Sequence, residues 1–216
     1  MTNRQLYRDI SIVLLAKIDA DICNPLNLFK NNIINNEELA SIDEKMRVNS
    51  QNVSFKTSEF ELLCDGNRLQ LRSENSMMSG RLGEILSNLI RIDNLNVDAI
   101  GINATSQVFF DAQDYRKLCR HIYPDNAFLP MAGDAMLLDL SFVDWNNPGN
   151  ELSPRSIYRI TRLPNNAEGL GVLQISVNNH LAIKGNKDLS AQYLSQANAL
   201  HAGFFNKSKE FLNGIQ

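Results

Sequence analysis

The segment 53–73, VSFKTSEFELLCDGNRLQLRS, decides the fold class of this chain. Hydrophobic residues alternate with polar ones along it, which is typical of strands with one buried face. The phase of the alternation changes near Thr57-Ser58, so the pattern predicts a β-bulge there. Asp65-Gly66 is a strong signal for a tight turn, and 68–73 is the predicted return strand. The segment therefore predicts an antiparallel hairpin.

The residues on either side extend the hairpin to a larger unit. We expect a strand at 9–18, a helix that begins at Asn24-Pro25, a helix at 76–91 and a strand at 97–109. Asn24 is a suitable cap and proline is favoured at the first helical position. The resulting order, βαββαβ, is that of a ferredoxin-like fold.

The second half is predicted as αβββα with an antiparallel sheet. Its elements are a helix at 111–123, strands at 135–145, 156–163 and 172–183, and a helix at 188–213 capped by Asp188. The class is therefore α+β. We expect a subdomain at 1–124 and another at 125–216, with one continuous domain as the alternative.

Composition excludes several classes of protein. Of the 216 residues 44% are hydrophobic and 21% are charged, as in an ordinary globular chain rather than a disordered one. A net charge of -3 creates no general attraction for nucleic acid or anionic lipid. The apolar run 10–18 is interrupted by Lys17 and is interpreted as a strand, so we expect no membrane association. Three widely spaced cysteines argue against a disulfide framework and favour a cytoplasmic location.

Nucleotide and metal motifs are weak. The sequence has no P-loop and no dinucleotide fingerprint. The nearest candidate, Gly169-Leu170-Gly171, precedes a predicted strand and is interpreted as a turn. Cys119 and His121 could bind a metal only from a strand or loop, so a structural role is favoured. No cofactor is expected.

A small enzyme or a nucleotide or metal sensor with a dispersed site is one alternative function. Cys23 precedes a predicted helix, where a thiolate can be stabilised. Asp111 and Asp114 lie in the first turn of the predicted helix 111–123, and His121 lies near the end of the same helix. None of these residues has a partner at diagnostic spacing.

Arg155, Tyr158, Arg159 and Arg162 form a basic cluster on one predicted strand. Arginine and tyrosine together can contact phosphate and stack on bases, so a nucleic-acid-contacting protein is a second alternative. The favoured interpretation is an edge strand that its charges protect against aggregation.

The terminal helix supplies the other candidates for an interaction surface. Its apolar stripe is wide, and Leu194, His201, Phe205 and Leu212 lie on or beside it. Such width indicates a second packing partner, within the chain or in another subunit. A wide stripe that serves only the core is the equally weighted alternative. Gly203, inside this helix, is expected to mark close packing.

Several short motifs carry a resemblance across most of the chain. They are Asn24-Pro25-Leu26, the hairpin from Phe55-Lys56-Thr57-Ser58 to Leu71, the strand Ile100-Gly101-Ile102-Asn103, and Leu200-His201 followed by Phe204-Phe205. With them the chain resembles a sporadically distributed bacterial family that has no established activity. The resemblance implies an architecture and no site residues.

The favoured function is a non-enzymatic protein-binding or assembly module of a bacterial or phage multi-protein system, with defence as one such setting. Its partner would be another protein or a second copy of the chain. This hypothesis rests on a well-patterned globular sequence in which no catalytic motif is recognised.

Overall fold

The computed structural model describes residues 5–49, 51–110, 113, 117, 139–145, 147–150, 153–165 and 171–213. The strands are β1 (Gln5–Ala16), β2 (Arg47–Val48), β3 (Val53–Lys56), β4 (Glu61–Cys64), β5 (Arg68–Ser73), β6 (Val97–Phe110), β7 (Asp139–Trp145), β8 (Arg155–Leu163) and β9 (Gly171–Ala182). The helices are α1 (Pro25–Lys30), α2 (Asn36–Ala40), α3 (Ser79–Ile92), α4 (Lys187–Ser195) and α5 (Ala197–Asn213), with 3-10 turns at Ala20–Cys23 and Ser76–Met78. Of the predicted helix 111–123, only residues 113 and 117 are described.

The strands form one nine-stranded sheet in the order β2-β3-β4-β5-β1-β6-β9-β8-β7. Every described pairing is antiparallel, including those of β1 with β5 and with β6. The fold is therefore α+β, as the sequence predicts. The ferredoxin-like arrangement is not confirmed, because the sheet continues past β4 with β3 and β2 and past β6 with β9, β8 and β7.

Strands from both halves of the sequence join in this sheet. β6 pairs with β9 from Ala99 opposite Ala182 to Phe110 opposite Gly171. The expected boundary near residue 124 lies outside the described residues. The sheet itself is continuous across the two described parts.

The hydrophobic core lies between one face of the sheet and helices α3, α4 and α5. In β1 the inward side chains Ile10, Ile12 and Leu14 are fully buried. The matching positions of β5 and β6, and the apolar stripe of α3, are also fully buried: Leu69, Leu71, Ile100, Ile102, Leu82, Ile85, Leu86 and Leu89. Burial of this apolar surface is the main stabilising term. Within the described residues, no helix is both long and apolar enough to cross a membrane.

The expected bulge near Thr57 is instead a turn between two separate strands. Thr57 Oγ1 accepts hydrogen bonds from the backbone N–H groups of Glu59 (3.2 Å) and Phe60 (3.0 Å). Val53 then pairs with Cys64, so β3 and β4 form a hairpin of their own. The change of phase in the sequence marks this reversal, because a threonine side chain can replace a backbone partner in a turn.

Two other local predictions are confirmed. Asn24 caps α1 by accepting a 3.0 Å hydrogen bond from Leu26 N–H, with Pro25 at the first helical position. Gly66 has a φ of +80°, the left-handed region that a residue in this hairpin turn requires.

An ion pair joins α2 to α3. Asn35 and Glu38 form a capping box at the start of α2. Arg81 of α3 donates to both carboxylate oxygens of Glu38 at 3.0 and 2.7 Å, and to Ile33 C=O at 2.7 Å. Burial raises the pKa of Glu38. The hydrogen bonds from Arg81 and from the backbone of Asn35 lower it by more than burial raises it, so the pKa of Glu38 lies below its usual range.

The terminal helix is not continuous. α4 ends at Ser195 and α5 begins at Ala197. Asn186, rather than the expected Asp188, caps α4 by accepting a 3.0 Å hydrogen bond from Leu189 N–H. Close packing occurs at a different glycine from the one expected: a Cβ on Gly203 would meet nothing within 4 Å, whereas a Cβ on Gly83 would lie 2.9 Å from Leu194 C=O.

Candidate functional site

The two faces of the sheet differ in chemistry. The face opposite the helices carries a row of polar side chains along its central strands: Ser11, Asn103, Thr105, Gln107, Gln174, Ser176 and Asn178. Several bond to one another, as in the 3.1 Å hydrogen bond from Gln107 Nε2 to Gln174 Oε1. We call this the polar face.

The basic cluster of β8 is divided between the two faces. Arg155 pairs with His180 and Arg159 pairs with Ser176, which places both arginines on the polar face. Tyr158 pairs with Val177 and Arg162 pairs with Leu173, which places these two on the helix side. Strand periodicity alone predicts this separation, because successive side chains point to opposite faces. The four residues therefore do not form one surface, and the interpretation of their strand as a charge-protected edge is wrong, because β8 pairs with both β7 and β9.

Each arginine on the polar face has a local partner. Arg159 forms a salt bridge with Asp139 of β7, and both side chains are exposed. Hydrogen bonding to Arg159 is the main reason that the pKa of Asp139 is lowered. Arg155 lies over the ring of Trp145, with 5.6 Å from its guanidinium carbon to the ring centroid. These contacts tie β8 to β7.

Trp145, Arg155 and His180 meet at one end of the polar face. Trp145 Nε1 and Arg155 Nε are buried and have no hydrogen-bond partner among the described residues. Burial, with a smaller contribution from Arg155, lowers the pKa of His180, so its ring is neutral at pH 7. The group offers donors to an acceptor but contains no nucleophile beside a base.

β7 is an edge strand with an exposed apolar surface. Within the described residues it pairs only with β8. Phe142 is 49% exposed and Val143 is 56% exposed, on opposite faces of the strand. The Phe142 ring stacks on Tyr158 with centroids 5.1 Å apart and planes at 15°. β7 contains no lysine, arginine or proline.

The opposite edge of the sheet is built differently. β2 has only two residues, Arg47 and Val48, which pair with Ser54 and Val53. A short edge strand that carries a positive charge is a usual protection against unwanted strand pairing. β7 is seven residues long and lacks that protection.

The interaction candidates of the terminal helix lie mostly inside the molecule. Leu194 is 2% exposed, His201 is 1% exposed and Phe205 is 7% exposed. Phe205 packs against Phe204, and the guanidinium of Arg8 lies 5.0 Å from its ring centroid. The side chain of Leu212 lies outside the described part of the chain. These three residues pack inside the chain's own core. For them, the second packing partner expected from the sequence lies within the chain.

His201 forms a buried contact with α3. Its Nδ1 lies 2.8 Å from Ser79 Oγ, and Ser79 also donates to Ser76 C=O at 2.9 Å. Burial lowers the pKa of His201 to about 4, although the nearby backbone of Asn103 and Ser11 acts in the opposite direction. Ser79 is fully buried, so this serine and histidine cannot reach a substrate in solution. The pair has a structural role.

Cys23 and Cys64 are distant in sequence, but both are free and buried in the same hydrophobic core. The influence of each side chain on the other is the largest of the effects that raise the pKa of Cys23 and lower the pKa of Cys64, the latter to about 7. No local motif predicts that these two side chains share a core, because the 3-10 turn and β4 are brought together only in the tertiary structure.

A groove of about 390 Å³ lies beside Cys64. Its lining residues come from β2 to β5 and their turns: Arg47, Asn49, Asn52, Val53, Ser54, Leu63, Cys64, Asp65, Arg68 and Gln70. Two guanidinium groups and several amides give it a polar wall. It is a candidate site for a small polar or anionic molecule.

The remaining candidate residues lie outside the described part of the chain, so their roles stay predictions. They are Asp111, Asp114, Cys119 and His121. Among the described residues, no group of three metal-ligating side chains is found.

No protein-family model matches the chain, and no curated protein sequence matches it. The resemblance to a bacterial family therefore stays a hypothesis.

Proposed function

We propose that the chain is a non-enzymatic assembly module that pairs with a second copy of itself through β7. The observation that carries the proposal is the exposed apolar character of this edge strand, with Phe142 and Val143 on its two faces. An edge strand presents unpaired backbone donors and acceptors to solvent, and adding a strand satisfies them.

The sequence of β7 is compatible with antiparallel self-pairing. With a two-fold axis at Phe142, each Phe142 faces its copy, Leu140 faces Asp144, and Asp139 faces Trp145. No two carboxylates would lie directly opposite each other, which avoids the repulsion of like charges. The Tyr158–Phe142 stack would continue across the axis as a row of four rings. This contact is isologous and closes as a dimer.

The test is the oligomeric state of the purified chain, measured by analytical ultracentrifugation over a range of concentrations. We expect a reversible dimer, and we expect Phe142→Lys to be monomeric because it places a charge at the axis. Met77→Lys is the matched control, since Met77 is 84% exposed in the 3-10 turn before α3. Circular dichroism checks that both variants stay folded.

Two outcomes contradict this proposal. One is a wild-type chain that is monomeric at every concentration, and the other is a dimer that Phe142→Lys leaves unchanged. A different protein that binds the wild-type chain but not Phe142→Lys would replace the second copy as the partner of β7. Identifying that protein would also test the proposed setting in a bacterial or phage multi-protein system.

The alternative of nucleic-acid binding has less support. Arg159 is paired with Asp139, Arg155 is stacked on Trp145, and Tyr158 points to the other side of the sheet. If this alternative were correct, binding would weaken as salt is raised and would weaken again in Arg159→Ala. Fluorescence anisotropy with labelled single-stranded and duplex oligonucleotides measures both effects.

A further inference from the structure

The groove of about 390 Å³ lies at the β2 end of the described sheet, and β7 lies at the other end. Arg47 pairs with Ser54, and Ser54 pairs with Leu63. Leu63 pairs with Gln70, so these four lining residues form one row across four strands. Residues opposite each other in antiparallel strands point to the same side of the sheet. Gln70 also pairs with Val13, which alternates with the inward residues of β1, so the row belongs to the polar face.

The groove carries positive charge that no carboxylate neutralises within the described part of the chain. Arg68 lies two residues before Gln70 on the same side of β5, and its guanidinium donates to Gln70 Oε1. Neither Arg68 nor Arg47 forms a salt bridge with a described residue. Three other arginines do form one: Arg72, Arg81 and Arg159. The lining of the groove thus combines two guanidinium groups with the single carboxylate of Asp65.

Neutral hydrogen-bond donors line the same groove. Asn49 Oδ1 accepts hydrogen bonds from the backbone N–H groups of Gln51 (2.9 Å) and Asn52 (2.8 Å), which leaves the Asn49 amide NH₂ to donate. The Ser54 hydroxyl and the amides of Asn52 and Gln70 are further donors. Together with the two guanidinium groups they exceed what one carboxylate can accept. They suit a phosphate monoester, whose three terminal oxygens are strong acceptors and carry most of two negative charges at pH 7.

We propose that this groove binds a small hydroxylated phosphate monoester of the sugar-phosphate type, with its phosphate held by Arg47 and Arg68. Each guanidinium is a planar fork that donates two hydrogen bonds to phosphate oxygens. Asp65 repels the phosphate but accepts hydrogen bonds from hydroxyl groups of the sugar. Leu63, which is 39% exposed, offers an apolar contact to the sugar carbons. The volume of the groove is in the range of small-molecule sites, and its position away from β7 makes binding independent of assembly.

The test is isothermal titration calorimetry of the full chain with sorbitol phosphate, and with sorbitol as the uncharged control. We expect saturable binding of sorbitol phosphate and none of sorbitol. Arg47→Gln and Arg68→Gln should each weaken binding about tenfold, because each removes a charge-assisted hydrogen bond to the phosphate. Arg91→Gln is the matched control: Arg91 also donates to a neighbouring amide, that of Asn88, but it lies in α3 away from the groove, so its affinity should equal that of the wild type.

Further variants and ligands separate charge, geometry and the sugar. Arg47→Lys and Arg68→Lys keep the charge but lose the planar fork, so their affinities should lie between those of the wild type and the glutamine variants. Circular dichroism checks that every variant is folded. The proposal is overturned if sorbitol phosphate does not bind, if sorbitol binds equally well, or if Arg91→Gln weakens binding as much as Arg47→Gln and Arg68→Gln do. Equal affinity for inorganic phosphate would overturn the assignment of Asp65 and Leu63 to the sugar.

Discussion

β1 and β7 belong to the same antiparallel sheet but occupy very different surroundings. β1 pairs on both sides and packs beneath helices, and its inward residues Ile10, Ile12 and Leu14 are fully buried. β7 pairs on one side within the described chain, and Phe142 and Val143 are about half exposed. The difference indicates that the centre of the sheet contributes most of the stability, whereas β7, with one neighbouring strand among the described residues, is the strand on which the proposed pairing with a second copy rests.

The largest expected loss of stability comes from a substitution at the centre of the sheet. Leu14→Ala removes a fully buried side chain and should lower the free energy of unfolding by about 2–5 kcal/mol. Val143→Ala should change it by no more than about 0.5 kcal/mol. Urea denaturation followed by circular dichroism, at concentrations where the chain is monomeric, measures both. Equal losses would show that β7 is covered in the monomer.

The same comparison applies to two ion pairs. Arg81→Met leaves the Glu38 carboxylate, whose side chain is 8% exposed, without its cation, and should cost about 2–3 kcal/mol. Arg159→Met removes the corresponding exposed pair with Asp139, and we expect no measurable change because solvent already screens it. Denaturation curves at low and high salt check this, and a larger loss for Arg159→Met would be inconsistent with an exposed edge.

Low pH should lower the stability of the folded protein through His201. Its pKa is about 4 when folded and near 6.5 when unfolded, so below pH 6.5 the unfolded chain binds a proton that the folded chain does not. The stability that depends on neutral His201 is present above pH 6.5 and is lost as the pH falls from about 6 to about 4, by about 1.4 kcal/mol for each pH unit.

The control for this pH effect is a pair of substitutions. His201→Gln should flatten the dependence of stability on pH between 6.5 and 4.5. His180→Gln, at a half-buried histidine on the polar face, should flatten it less. A wild-type chain whose stability does not change over this range would contradict the assignment. Denaturant midpoints measured at half-unit pH steps provide the comparison.

The smallest expected effects come from two helical glycines, and they have opposite signs. Gly83→Ala brings a Cβ to 2.9 Å from Leu194 C=O and should destabilise the contact of α3 with α4 by about 1 kcal/mol. Gly203→Ala meets nothing within 4 Å and should stabilise α5 by about 0.5–1 kcal/mol. Thermal unfolding should therefore shift in opposite directions, and a shared direction would mean that α3 and α4 are not in close contact.

Local sequence patterns predicted the secondary structure well where the signal involves neighbouring residues. Asp65-Gly66, Asn24-Pro25 and the apolar spacing of α3 each depend on residues a few positions apart, and each is confirmed. The errors were also local in origin. The pattern at Thr57 predicts a bulge where the structure has a turn, because a short reversal and an irregular strand have similar patterns. The break at Gln196 has no signal in the pattern, because Tyr193 and Ala197 keep helical spacing across it.

The candidate site was less predictable. The division of the β8 cluster follows from strand alternation and could have been predicted, whereas the burial of His201 and Phe205 depends on which helix face meets the sheet. The burial of Cys23 and Cys64 in one core had no sequence signal, since it brings a 3-10 turn together with a strand that is distant in the sequence.

By itself the sequence determined the class of fold, most strand and helix positions and the turn at Asp65-Gly66, because propensity and periodicity act over short stretches. Only the tertiary structure decided that β1 and β6 lie at the centre of the sheet, that β7 is the last of the described strands, and that two cysteines distant in sequence share one core. Strand order and long-range contacts depend on how the whole chain buries its apolar surface, and no short segment contains that information.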